Sequence, residues 1–295
     1  MHLNITAYST ALFSTWINIE ELGLLFDAGD GVTSGLLQKS GKIKYVFITH
    51  PDRDHINGIF QLYQLNARKE YPKIYYPKDS GSFSAMKDFL YKFDTHIQGA
   101  EWHPIKHLDT IEIRNDLFVE AIRNEHVAVP QNVSKSLSFK LYQTKQKLKK
   151  EFSHLDGNSI KEMISLHGRD HLMETIHTNI LSYAGDTPVD DYNKWDHSGI
   201  LIHESTFLQD EGNTIVKSRK GRNKHSKLNE VLEMVSNITI DRLILQHFSS
   251  RYSKKEINEN VIKLCKYYNI KVPVHVIYPG EIHRDILNSK PLYNY

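Results

Sequence analysis

Residues 48–58 read Ile48-Thr49-His50-Pro51-Asp52-Arg53-Asp54-His55-Ile56-Asn57-Gly58, directly after the apolar run that begins at Tyr45. The run predicts a buried strand, and the six positions that follow Thr49 hold two histidines and two aspartates. A sharply folded loop at a strand end turns four such side chains toward one point, where carboxylates without compensation would be costly. The loop therefore reads as a metal site and the floor of a two-metal hydrolase. The bland alternative is a polar turn capping a helix that starts near Asp54.

Three further donors stand downstream, each at the end of an apolar, strand-like run. His126 closes Ile122-Arg-Asn-Glu-His126, Asp186 closes Leu181-Ser-Tyr-Ala-Gly-Asp186, and His247 closes Leu243-Ile-Leu-Gln-His247. Together with the loop they supply enough donors for two metal shells.

The loop spacing resembles H-x-H-x-D-H, the signature of metallo-β-lactamase-fold hydrolases, with Asp52 where the second histidine usually stands. More narrowly, the chain resembles ribonuclease Z, the transfer-RNA 3′-processing endonuclease family, and most of all its compact bacterial form. The likeness runs nearly end to end, through the segments 11–16, 25–32, 147–152, 168–170 and 185–187. It is most specific in His203-Glu-Ser-Thr-Phe207, His225-Ser226 and His247-Phe-Ser-Ser-Arg-Tyr252.

The resemblance implies a fold of class α/β, the four-layer αβ/βα sandwich of the metallo-β-lactamase fold. It implies that His50, Asp52 and His126 bind one metal ion, that Asp54, His55 and His247 bind a second, and that Asp186 bridges both. Asp54, Glu204 and His225 are the expected catalytic residues, with Glu204 orienting His225 as proton donor to a leaving ribose 3′-oxygen. Glu204 could instead be a charge at a helix N-terminus and His225 a helix cap. Two divalent metal ions are the implied cofactor: zinc is the first expectation, and Asp52 admits manganese or iron, since the donors are imidazole and carboxylate without cysteine. Such a pair clamps the attacking and leaving oxygens of an in-line displacement and activates water at neutral pH. The implied partners are a transfer-RNA precursor, or another phosphodiester, and a second copy of the chain in a homodimer.

With 295 residues, 40% hydrophobic and 24% charged, the chain is long enough for one domain with a substantial core. One hydrolase domain over 1–295 is expected, because the candidate donors spread from 50 to 247 without a Pro/Gly/Ser-rich linker between them. The N-terminus lacks a basic segment followed by an apolar stretch, and no apolar run approaches membrane-spanning length, so the reading is a cytoplasmic protein with no membrane partner. The single cysteine, Cys265, falls in a helix-like pattern as a small buried side chain.

A formal charge of +2 does not mark a nucleic-acid binder, so the local distribution decides. Lys145-Gln-Lys-Leu-Lys-Lys150 and the run 217–227 are strongly basic. Lys147, Lys149, Lys150 and Arg251 are the candidate substrate contacts; the alternative for the runs is a solvated face. The stretch 145–177 is polar and helix-prone. It is read as a short form of the arm that grips the transfer-RNA elbow in the resembled family, or else as a helical hairpin packed on the body.

Strands are expected over 24–26, 45–48, 74–76, 117–122, 180–183, 200–202 and 243–245, and helices over 83–93, 227–235 and 255–264. The histidines outside the constellation are expected at the surface, with His203 on a strand face opposite Glu204.

Asp52 is the departure from the family pattern. Two divalent ions bring about +4, which three aspartates and a bridging hydroxide cancel to about zero, where an all-histidine site would stay near +1. The expected consequence is a higher pKa for bridging water and a preference for harder ions. The variant H-x-D-x-D-H resembles that of nuclease-like domains in bacterial DNA-uptake proteins, so the change is compatible with activity. Three functions follow: an endoribonuclease acting on transfer-RNA precursors, a phosphodiesterase of the same fold acting on cyclic nucleotides or another nucleic acid, and a non-catalytic RNA-binding relative.

Overall fold

All seven expected strands and all three expected helices form, with ends within three residues of those expected except where β10 is extended. The computed structural model describes residues 3–97, 99–208 and 224–295. One sheet runs in the order β1 (Ile5–Thr10), β2 (Ser14–Ile19), β3 (Leu24–Phe26), β4 (Tyr45–Phe47), β5 (Lys73–Pro77) and β6 (Glu101–Ile105), parallel from β3 onward. The other is built from β7 (Thr110–Arg114), β8 (Leu117–Arg123), β9 (Leu137–Leu148), β10 (Met173–Tyr183), β11 (Ser198–Glu204), β12 (Ile240–Gln246) and β13 (Val274–Val276), side by side in chain order. Strands β10 to β13 are parallel, and β9 runs against its neighbours β8 and β10.

The central strands of both sheets are buried on both faces, and this is why they read as short continuous apolar runs. In β3, Leu24 and Phe26 point to the core between the sheets, while Leu25 points to the core under α1 (Val32–Leu36), α3 (Ile59–Asn66) and α4 (Gly81–Phe93). Between these, the short α2 (Arg53–Ile56) carries the loop residues Asp54 and His55. On the far side Leu201, Leu243 and Leu245 meet α7 (Leu228–Ser236) and α8 (Lys254–Tyr267), with Cys265 fully buried among them. The result is helix, sheet, sheet, helix. Phe26 stacks on Tyr183 at 5.1 Å and on Phe139 at 5.7 Å, and each fully buried phenylalanine contributes about 1.5–3 kcal/mol of hydrophobic stabilisation. These rings lock the sheets together directly beneath the ends of β3, β9 and β10.

The stretch 145–177 corrects the helix-prone reading at its two ends. Strands β9 and β10 continue through it as a two-stranded ribbon, pairing from Phe139↔Tyr183 out to Leu148↔Met173. Beyond the paired ends lie α5 (Gly157–His167), which buries no residue, and α6 (Arg169–Leu172). A lysine-rich segment with neither face covered carries no apolar run, so local propensity pointed away from the strand that cross-strand pairing enforces.

Two histidines expected at the surface are buried. His203 is fully covered on the outer face of β11, with its ring edge-on to Trp195, so the opposite-face expectation holds while the exposure does not. His275 lies at 3% exposure in β13, whose three residues are all covered.

Candidate functional site

The carboxyl ends of β4, β8, β10, β11 and β12 lie along one edge, and every candidate donor follows one of them. His50 comes three residues after β4, His126 three after β8, Asp186 three after β10, Glu204 ends β11, and His247 follows β12 directly. Asp54 and His55 sit on α2, one turn beyond the loop. Gly185 has φ +62°, and a Cβ there would come within 2.6 Å of Thr49 Cγ2, so only glycine lets Asp186 approach the His50 loop this closely.

Two triads result, His50/Asp52/His126 and Asp54/His55/His247, each with its donor atoms within 4.8 Å of one another. Asp186 Oδ2 reaches toward both, at 3.8 Å from His50 Nε2, 3.3 Å from His55 Nε2 and 3.4 Å from His247 Nε2. Asp52 Oδ2 lies 3.5 Å from His50 Nε2 and 3.8 Å from His126 Nε2; Asp54 Oδ2 lies 3.3 Å from His247 Nε2.

The protons on these rings are fixed by their outer partners. His126 Nδ1 faces the Lys224 carbonyl at 2.9 Å, which can only accept. His55 Nδ1 donates to Asp27 Oδ2 at 2.8 Å. His50 Nδ1 donates to Thr49 Oγ1 at 2.9 Å, because the Thr49 hydroxyl hydrogen is directed at Asp27. His247 Nδ1 donates to Thr206 Oγ1 at 2.9 Å, and that hydroxyl donates to Glu204 Oε2 at 2.5 Å. Each ring therefore carries its hydrogen on Nδ1 and turns the Nε2 lone pair inward.

His50 Nε2, His55 Nε2, His126 Nε2 and Asp186 Oδ1 are buried with no hydrogen-bond partner. Leaving a buried polar atom unpaired costs about 1–3 kcal/mol, and four of them in one cluster fit a site built for cations. The charge pattern agrees. Burial works against ionising Asp186, yet His247 and His55 hold its carboxyl well below the usual range. The adjoining His126 and His50 rings hold Asp52 far down as well, while burial opposes and His247 outweighs it to bring Asp54 to about 2. Imidazole and carboxylate without thiolate suit divalent cations.

Beside the triads, His225 Nδ1 lies 3.1 Å from Glu204 Oε1. Glu204 is fully buried, and its Oε1 also accepts from Thr187 N at 2.7 Å. Burial opposes charging His225, but the Glu204 carboxylate more than offsets it and lifts the imidazole to about 9. His225 lines a cavity of about 350 Å³ together with Asp52, Asp54, Asp186, His247 and Arg251. Arg251 lies over the rings of Phe207, at 5.5 Å, and Tyr252, at 5.1 Å, so it is held at the cavity wall.

Lys147, Lys149 and Lys150 are not brought to this edge. Lys147 lies eight residues along β9 from Phe139, roughly 26 Å at ~3.3 Å per residue, toward the opposite end of the sheet. Lys149 Nζ is engaged by the carbonyls of Asp170 and His171, at 3.2 and 2.7 Å. A strand of this length carries its far end away from the metal motifs that stand near it in sequence. Of the second basic run, residues 217–223 lie outside the described residues.

Sequence reasoning missed Asp27. It is fully buried, adopts φ +54°, and accepts from Thr49 N, Thr49 Oγ1, His55 Nδ1 and the Tyr183 hydroxyl. The signal that exposed the other donors was present, since Asp27 directly follows the run 24–26. Thr49 and Thr206 carry no such signal.

No protein-family profile matches the chain. Among curated proteins it is 30% identical over 285 residues to the chloroplastic tRNase Z of Arabidopsis thaliana, covering 91% of this chain and 73% of that one. It is 27% identical to the ribonuclease Z of Methanococcus aeolicus, with 83% of each chain covered. Among solved structures it superposes on the short form of human tRNase Z with a TM-score of 0.59, at 18% identity over 95% of this chain and 98% of the other. The metallo-β-lactamase-fold protein YhfI of Bacillus subtilis gives 0.62, at 14% identity over 96% and 99%. These structural likenesses establish the fold.

Proposed function

We infer, from the premise that the chain belongs to the ribonuclease Z family of metallo-β-lactamase-fold nucleases, that it is a metal-dependent endoribonuclease that trims the 3′ end of transfer-RNA precursors. The observation that carries the reading is the convergence of four Nε2 lone pairs and three aspartates beside a histidine whose far nitrogen faces an open cavity.

His50, Asp52 and His126 would hold one ion, Asp54, His55 and His247 a second, and Asp186 both. Zinc is the proposed metal, with manganese or iron as alternatives. When bound, such a pair supplies Lewis acidity to a phosphoryl oxygen and to an attacking water. The protein's own part is positioning and proton transfer. As the bond from water oxygen to phosphorus forms and the bond to the ribose 3′-oxygen breaks, His225 Nε2 gives its proton to the departing oxygen. Glu204 keeps the imidazole turned by accepting from Nδ1 and supports the charged form, so the donor is loaded near neutral pH. Arg251 at the cavity wall offers a fixed positive charge to a phosphate.

A ribonuclease Z of this kind would work as a homodimer. The ribbon bearing Lys147 and Lys150 is the proposed arm, remote enough from the centre to touch only a long substrate. The direct test is to incubate the metal-loaded protein with a 3′-extended transfer-RNA precursor and, separately, with cyclic nucleotides. Cleavage of the precursor is expected. Hydrolysis of the cyclic nucleotides alone would replace this reading with the small-substrate one, and no hydrolysis of either would favour a non-catalytic RNA binder. Asp186→Ala should lose both metals, because its carboxylate reaches both triads.

A further inference from the structure

Asp52 stands between two cavities. The first contains His225; the second, about 280 Å³, is lined by Pro51, Asp52, Ser80, Ser82, Val127 and Lys135, together with Gly81, and does not include His225. We propose that the second cavity is a phosphate subsite, which holds the next phosphate on the retained side of the scissile linkage in a polynucleotide. The proposal rests on the phosphodiesterase reading above and extends it to the polymer.

Ser80 occupies the N-cap position of α4 and is 7% exposed, yet its hydroxyl makes no hydrogen bond to the helix it precedes or to any other described residue. The oxygen of an N-cap serine normally accepts from a backbone N–H of the first turn; here the hydroxyl is left facing the cavity. The α4 helix is 13 residues long, so its first turn presents unpaired backbone N–H groups and a partial positive charge. No atom lies within 4 Å of where a Gly81 side chain would begin, leaving room for a ligand oxygen to approach that backbone.

Lys135 supplies the full charge. It is exposed at the cavity and has no ion pair among the described residues. The strand-like loop that carries it is pinned to the start of α4 from both directions. Ser134 N donates to Asp79 Oδ2 at 2.7 Å and Asp79 N donates to the Ser134 carbonyl at 3.1 Å, which occupies the Asp79 carboxylate and sets Lys135 beside Ser80. The remaining carboxylate in the cavity wall, Asp52, is drawn toward His50 and His126.

The chemistry of the reaction says which part of a substrate this cavity meets. His225 protonates the departing 3′-oxygen, so the fragment that leaves lies on its side, in the first cavity. The scissile phosphate stays on the 5′-oxygen of the other nucleotide, whose own 3′-oxygen bears the next phosphate. That half passes Asp52 on the side away from His225. A cyclic nucleotide has no second phosphate and leaves the subsite empty.

The test uses two unreactive products, adenosine 5′-monophosphate and adenosine 3′,5′-bisphosphate, titrated into the metal-loaded full chain by calorimetry. The bisphosphate should bind roughly tenfold tighter, the size of one charge-assisted contact. Lys135→Ala should shrink that ratio to within about twofold, and Ser80→Ala should reduce it in part. Equal affinities in the unaltered protein, no binding of either nucleotide, or a ratio that survives Lys135→Ala would each overturn the subsite. The two readings separate cleanly. A protein that prefers the bisphosphate and leaves a transfer-RNA precursor uncut keeps the subsite and loses that substrate; one that cuts the precursor and binds both nucleotides equally keeps the activity and loses the subsite.

Discussion

Tyr183 donates a 2.6 Å hydrogen bond to Asp27 Oδ2, and so the second sheet holds in place a carboxylate of the first that in turn holds His55. Burial and the adjoining Asp27 push the Tyr183 phenol well above its ordinary pKa, so it remains a donor at every working pH. Tyr183→Phe keeps the stacking on Phe26 and removes this bond. Metal affinity should fall roughly 10–100-fold, the usual loss when an outer partner of a ligating histidine is removed. A competition titration against a chromogenic chelator measures it, and an unchanged affinity would dismiss Tyr183 as a support of the Asp27–His55 pair.

His225→Ala should keep its metal content and lose roughly 10²–10⁴ in turnover on RNA. Bis-p-nitrophenyl phosphate releases a phenolate that needs little protonation, so its hydrolysis should suffer far less. Equal losses on the two substrates would argue against proton donation by His225.

Glu204→Gln tests the same pair through pH. Burial lowers the pKa of His225, and the Glu204 carboxylate, ahead of Asp186 and Asp54, raises it above the ordinary value. The donor must be protonated to act, so RNA cleavage declines as pH rises through that pKa. Without the Glu204 charge the pKa drops, and the alkaline limb of the pH–rate profile should move to lower pH. A limb that stays in place or moves upward would assign it to another group.

Asp52→His removes one negative charge from the His50 and His126 side of the centre. The bridging water should then ionise at lower pH, moving the acid limb of activity down, and preference should shift from manganese toward zinc. Profiles measured in each metal for both proteins decide it. An acid limb that moves upward or stays fixed would mean that Asp52 does not act on the ions.

Lys147→Ala with Lys150→Ala should raise KM for transfer RNA and flatten its salt dependence, because binding that neutralises fewer phosphates releases fewer counterions. Lys149 is left intact, since it binds the carbonyls that close α6. Hydrolysis of a small diester, about 26 Å away by strand length, should not change. An unaltered salt slope would remove the ribbon from the RNA-binding surface.

Among the strands, the most legible in the sequence were those whose both faces are apolar. Leu24–Phe26 and Leu243–Leu245 are continuous runs because each lies between two cores. Strands β1 and β2 escaped notice because buried Thr6, Ser9, Thr10, Ser14 and Thr15 break up their apolar residues, satisfied by contacts such as Ser9 with Thr15 that only the folded pair creates. The donor cluster was legible for the same reason as the strands, since each donor terminates a run. The hydroxyls that set the ring tautomers were not. Thr206 is meaningful only through His247, 41 residues away, and Thr49 only through Asp27.

The Lys224 carbonyl receives the His126 Nδ1 hydrogen one residue before His225. The segment that carries His225 thus also sets which nitrogen of His126 faces the donor cluster, and by linkage the influence would run equally in both directions. An ion held by His126 Nε2 would tighten the chain at 224–226, and a substrate that strained this segment would loosen the ion by the same free energy. With these proposed roles, cofactor loading and readiness of the acid would be coupled equilibria. Metal-free protein should lose hydrogen-exchange protection at Lys224 N, which donates to the His126 carbonyl at 3.0 Å, before the sheets themselves begin to open.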